Sequence, residues 1–175
     1  MAGELSIGSS AINRSGYYGD IRTLMQVGTG MSCNGEGTIT QIKIYLYATD
    51  AINSLKAGIF YVSNGNYKCR AAQDVGIQTP GGLKTINVSL AVKAGDFLGI
   101  FLPTSTHQLD TSNSSTVDND IMMVKASGDH CVVDDSSEYS VSTMKYISME
   151  GSGDAAGGGG GDGSPILPLV IAGIM

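Results

Sequence analysis

The chain has 175 residues, a net charge of −6 and only 15% charged residues. That length suits one domain with a real core, and the sparse, acid-weighted charge excludes the clustered Lys and Arg on which a nucleic-acid surface depends. Strong helix formers are thin while Gly, Ser, Thr and Asn are frequent, a composition of strands and tight turns.

The first residues, "MAGELSIGSSAINRSG", lack a basic start followed by an apolar run, so no secretory signal is read there. "LSI" and "IRTLMQVG" are short strand candidates. From Gly37 to Thr49, "GTITQIKIYLYAT" alternates: Ile42, Ile44 and Leu46 fall on one side, and Gln41, Lys43, Tyr45 and Tyr47 on the other. This is the period of a strand with one face in a core. "LKAGIFYVSNGNYKCRAA" holds two strand-like runs joined through Asn64-Gly65, a hairpin signal because both central residues of that turn take positive φ. The expected hairpin runs from about Leu55 to Ala71.

Thr79-Pro80-Gly81-Gly82 reads as a turn, Ile86, Val88 and Leu90 alternate with polar residues, and Ala94-Gly95-Asp96 makes a second turn. Phe97 to Leu102 is almost continuously apolar, as in a strand buried on both faces. "THQLDTSNSSTVDND" reads as a polar loop, followed by strands at Ile121–Ala126, His130–Val133 and Tyr139–Glu150. About eight strands at spacings near ten residues imply an all-β chain, a single β-sandwich of jelly-roll type.

Composition changes abruptly at Gly151. The expected organisation is therefore a sandwich over 1–150, a flexible Gly-rich linker over 151–164 with a reach of about 20 Å, and an apolar docking strand over 165–175. "SPILPLVIAGIM" is too short for the ~20 residues of a membrane-spanning helix, and Pro165 and Pro168 break its first turns. Pro165, Ile166, Leu167, Leu169, Val170, Ile171 and Ile174 are the candidate assembly residues, able to add to an exposed sheet edge or fill a groove on another subunit, the alternative being a tail folded back on its own domain. If fully buried they would contribute on the order of 10 kcal/mol before ordering entropy.

Chemistry is hard to find. His107 and His130 lack a second histidine at ligand spacing, and Cys33, Cys69 and Cys131 form no CxxC pair. Three buried thiols are expected, the alternative being one disulfide and one free cysteine. The acidic groups Asp110, Asp118, Asp120 and Asp134, Asp135, Glu138 do not match a calcium-loop spacing, and "GGGGGDG" lacks the Lys-Ser/Thr of a phosphate loop. Neither metal nor cofactor is expected, and the chain reads as a binding or structural protein and not an enzyme. Tyr17, Tyr18, Tyr45, Tyr47, Tyr61 and Tyr67 divide between glycan platforms and packing under loops. Tyr45 and Tyr47, with Asp110 and Asn113, are the candidate glycan-binding set.

"ITQIKIYLYATDAINSLKAGIFYVSNGNYKC" followed by "LKTINVSLAVKAGDFLGIFLP" resembles the small carbohydrate-binding-like β-sandwich modules of virion and appendage proteins of tailed bacteriophages. The likeness is carried by the Ile42 and Ile44 strand, the Asn64-Gly65 hairpin, and Val92-Lys93-Ala94-Gly95-Asp96 leading into Phe97-Leu98-Gly99-Ile100. It covers roughly Gly37 to Pro103 and transfers no binding residue. It implies a virion structural protein, homo-oligomeric through its tail, contacting other virion proteins and surface glycans. The rival readings are a free-standing carbohydrate-binding module and a small glycan-cleaving enzyme using the Asp110 or Asp134 loops.

Overall fold

The computed structural model describes residues 3–14, 16–47, 50–103, 108–113, 122–143 and 145–157, with backbone alone at 17–19, 108, 110–113, 122–123, 142–143 and 145. The expected assembly segment, 165–175, lies outside the described residues.

Two antiparallel sheets pack face to face as a β-sandwich. The first is built on β1 (Glu4–Ser9), β4 (Gly37–Leu46), β7 (Gly82–Val92) and β14 (Met149–Ala155), in the spatial order β1-β14-β4-β7. Beyond the end of β4 it continues through β9 (Gln108–Asn113), which carries β2 (Gly16–Gly19) on one side and β13 (Lys145–Ile147) on the other. The second sheet includes β3 (Arg22–Val27), β5 (Ile52–Ser63), β6 (Asn66–Gln78), β8 (Phe97–Leu102) and β10 (Met122–Ser127). Adding β11 (Ser136–Ser137) and β12 (Ser140–Thr143), its order is β11-β6-β5-β8-β3-β10-β12.

The alternation in β4 is what the sequence predicts: Ile42, Ile44 and Leu46 are fully buried while Lys43 and Tyr45 face outward. They meet Ile7, Leu90 and Met149 from their own sheet and Ile59, Leu98 and Ile100 from the other. Each such side chain contributes roughly 1.5–3 kcal/mol of burial. Ile44→Asp is therefore expected to abolish the cooperative thermal melt, because an unpaired charge cannot be accommodated there. Lys43→Asp, on the outer face, should leave the fold intact and cost less than about 1 kcal/mol.

The Asn64-Gly65 turn forms with φ of 51° and 81°. Its hairpin is longer than expected, since β5 and β6 pair from Ile52↔Gln78 to Ser63↔Asn66. β8 lies between β5 and β3 and is buried on both faces as read. A second apolar cluster explains this: Met25, Phe60, Cys69, Val124 and Cys131 pack on the outer face of the second sheet. Phe60 lies across the paired glycines Gly58 and Gly99, where an added Cβ would come within 2.8 Å and 2.5 Å of its ring.

Residues 128–139 fold over that cluster and are tied down by polar contacts. Thr23 Oγ1 donates to Gly128 O at 2.8 Å and accepts from the His130 amide at 2.9 Å. His130 Nδ1 bonds Asp135 at 2.6 Å, Lys56 pairs with Asp129, and Lys68 pairs with Asp134 at 3.0 Å. The three cysteines are free and buried. Burial pushes the Cys69 thiol up to about 11 and the Cys131 thiol well above its ordinary value, which removes their nucleophilic form at neutral pH.

Four expectations are corrected. The boundary at Gly151 falls inside β14, a central strand between β1 and β4. Gly153 faces the Thr38–Ile39 backbone so closely that an added Cβ would sit 2.0 Å from Thr38 O. These glycines are there to let strands approach. The expected loop from Thr106 contains β9, held by pairing with β2 and β13 although Leu109 is its one apolar residue. Finally, His130–Val133 is irregular, and among the described residues fourteen strands, some very short, stand in place of about eight.

Candidate functional site

The most built-up surface feature is the outer face of the first sheet. Its residues line up in cross-strand rows. Ser6, Ser152, Gln41 and Asn87 form one row, and Gly8, Glu150, Lys43 and Thr85 the next. Side chains at such positions are neighbours on one face. Those on β1 and in the middle of β14 are small, while Gln41, Lys43 and Glu150 are long, so the sheet surface is hollowed between them.

The hollow has a volume of about 300 Å³ and is lined by the β1, β14 and β4 members of these rows together with Glu4 and Ser10. That lies at the lower end of the roughly 300–1,000 Å³ of small-ligand sites. Gly8 keeps the floor open: its φ is +84°, and a Cβ would meet Met149 O at 2.5 Å. Lys43 Nζ and Glu150 Oε1 pair at 3.3 Å on the wall, both still partly exposed. The charges hold each other in place with little net energy. The other polar side chains of the lining are the hydroxyls of Ser6, Ser10 and Ser152, the Gln41 amide and the Glu4 carboxylate.

At one end the hollow runs toward an aromatic row. Tyr45 is the next outward residue of β4 and stands beside Leu83 of β7. Tyr45 N–H donates to Ser148 O at 3.0 Å, and Asn13 Nδ2 donates to the Tyr45 hydroxyl at 3.3 Å. Tyr47 and Leu83 are half exposed, at 52% and 51%. The segment Ser10–Arg14 wraps this end. Arg14 Nη2 donates to Ser10 O at 2.8 Å, its guanidinium lies 5.2 Å over the Tyr146 ring, and Ser148 Oγ donates to Ile12 O at 2.6 Å.

No family model matches the chain, and no curated protein matches it.

Of the candidate glycan set, Tyr45 is the next outward residue of β4 after Lys43, which lines the hollow, and Tyr47 follows just beyond the end of β4. Asp110 and Asn113 belong to β9, which meets β4 only at Leu46↔Leu109; their side chains lie outside the described residues. Tyr61 and Tyr67 pack instead. Arg70 stacks 4.4 Å from the Tyr61 ring centre, and Tyr67 makes edge contacts with Phe97 and Tyr139. Tyr17 and Tyr18 lie in β2, and their side chains are outside the described residues, as is His107.

Of the acidic loop residues, Asp134 and Asp135 are engaged by Lys68 and His130. Among the described residues no three metal-ligating side chains gather, and no helix is long and apolar enough to cross a membrane. Sequence reasoning missed Ser6, Glu150 and Ser152. The outward phase of β4 was available as a signal; that β1 and a glycine-rich β14 lie beside it was not.

Proposed function

We propose that the outer face of the first sheet binds an uncharged saccharide, making this chain a carbohydrate-binding module. The observation that carries the reading is a hollow lined by serine hydroxyls and the Gln41 amide, on the face of β4 whose next outward residue is Tyr45. Hydroxyls and amides match the donors and acceptors of sugar hydroxyls, and a tyrosine supplies a face on which a pyranose ring can stack. Binding without cleavage is favoured by the carboxylates: of the two that line the hollow, Glu4 and Glu150, the second is paired with Lys43, whereas glycosidic cleavage uses two carboxyl groups flanking one bond.

The test is a glycan array with the full chain, followed by titration calorimetry on the saccharides captured. Ser152→Tyr fills the hollow from the outer face, and Tyr45→Ala removes the platform. Each is expected to weaken binding at least tenfold with an unchanged melt, while Ile77→Ser on a remote exposed site has no effect. Capture of no saccharide, or a Ser152→Tyr protein that binds as the wild type does, overturns the reading.

A second reading is favoured by the apolar sequence of 165–175. In it the chain is a virion structural or appendage protein, homo-oligomeric through that segment and docked against other virion proteins. Such a segment, apolar and rich in β-branched residues, suits strand addition to another copy. The two readings are compatible, since one uses a sheet face and the other the chain end. A light-scattering mass for the full chain at a multiple of 18.1 kDa supports assembly, and a monomer overturns it.

A further inference from the structure

We infer that Leu169–Met175 of one copy adds as a strand to the open edge of β7 in a second copy. This rests on the assembly reading and names the surface that receives the tail.

The two edges of the β1-β14-β4-β7 array differ. The β1 edge is covered by the loop that follows β3. Gly8 N–H donates to Met31 O at 2.9 Å and Asn34 N–H to Ser6 O at 3.3 Å. The Asn34 side chain accepts from Ser6 N–H at 2.9 Å and donates to Glu4 O at 3.2 Å. The backbone groups that another strand would need there are taken. Among the described residues β7 pairs with β4 alone, and its far side carries one side-chain bond, from Ser89 N–H to Gln73 Oε1 at 2.8 Å. Gly82–Asn87 is left as an edge with Leu83, Thr85 and Asn87 exposed. Such an edge is a template for a further strand.

The chain leaves the domain at the matching end. Ala155 pairs with Gly37 and Gly37 with Val92, so β14 delivers residue 157 to the end of the sheet where β7 finishes. On its own copy the open stretch of β7 beside Asn87 is three spacings across and five residues along, about 22 Å, beyond the average span of the linker. Residues 158–168 are eleven, and a glycine-rich chain of that length spans about 18 Å on average. A strand entering beside Asn87 and running toward Gly82 is antiparallel to β7, as the ladders among the described residues are. Pro165 and Pro168 are three apart, so one of them would turn its missing N–H toward β7; pairing begins after Pro168.

The sequence of the strand selects a second copy over its own domain. Leu169 and Ile171 fall on one face, Val170 and Ile174 on the other. Beside β7, one face continues the core side of Ile86 and Val88, and the other continues the outer side of Leu83 and Thr85. In a single copy that outer face meets water. A strand apolar on both sides is satisfied when the copy that donates it covers it.

The experiment compares the full wild-type chain with the full chain carrying Val170→Asp and Ile171→Asp, by light scattering and by amide hydrogen exchange of β7. Both substitutions lie outside the described residues, and unchanged exchange in β5 confirms that the fold is kept. The expected result is a wild-type oligomer whose Leu83–Asn87 amides exchange at least tenfold more slowly than in a monomeric variant. An oligomer with the same β7 exchange in both proteins overturns the β7 assignment while the assembly reading stands. A wild-type monomer with β7 protected by the tail overturns the second copy as acceptor. A monomer with no protection overturns both.

Discussion

Ending the chain after Glu150 is expected to unfold it, whereas ending it after Gly157 leaves a cooperative fold. Residues 151–155 supply most of β14, which pairs with β1 from Glu4↔Asp154 to Ser9↔Met149 and with β4 from Ile44↔Met149 to Gly37↔Ala155. Without it, β1 loses the strand through which it joins the sheet, and the buried Leu5 and Ile7 lose their support. Each ladder bond contributes about 0.5–1.5 kcal/mol net, and burial of two large aliphatic side chains about 3–6 kcal/mol. The sum meets or exceeds the roughly 5–15 kcal/mol by which a domain is stable. Circular dichroism melts of residues 1–150 and 1–157 check it. A cooperative transition for 1–150 within a few degrees of that for 1–157 would contradict the central place of β14.

Asp96→Ala is expected to cost about 3 kcal/mol, read as a lower denaturant midpoint at unchanged slope. The Asp96 carboxylate is almost wholly buried and accepts from Arg70 Nε at 2.6 Å and Nη2 at 3.1 Å. It also accepts from the Lys93 amide at 2.8 Å, closing the β7–β8 turn. Its own carbonyl accepts from Cys33 N–H at 2.7 Å, and Gly95 N–H donates to Cys33 O at 3.0 Å. One residue thus ties together β6, the β7–β8 turn and the loop that covers the β1 edge. Removing the carboxylate leaves the Arg70 guanidinium on the Tyr61 ring with no carboxylate partner in a quarter-exposed site. Partial rehydration of Arg70 holds the cost toward the lower end for broken buried pairs. Asp96→Asn keeps an acceptor for the Lys93 amide and should recover about 1 kcal/mol. An unchanged midpoint for Asp96→Ala would mean that the network carries no stability.

Ala94-Gly95-Asp96 was legible as a turn, because turn chemistry is local. That its aspartate would be buried under an arginine from β6 was not, since Arg70 is 26 residues away in the chain. The candidate site divides in the same way. Gln41, Lys43 and Tyr45 share a phase that sequence reveals, but the hollow exists only because Ser6 and Ser152 are brought beside Gln41 by ladders spanning most of the chain.

The sequence by itself determined the all-β class, the Asn64-Gly65 hairpin, the double-sided burial of β8 and the phase of β4, all of which follow from preferences spanning a few residues. Tertiary structure alone decided the neighbours. It made a strand of Gln108–Asn113 through pairing with β2 and β13, and it turned the 128–139 segment into a cover for the second sheet. It also placed "MEGSGDA" at the centre of the first sheet, where Gly151 lies against Ile7 and Ile39 and Gly153 against the β4 backbone. A glycine strand has no side-chain alternation to show its period. Its conformation is set by the strands on either side, whose bulk needs the space that glycine leaves.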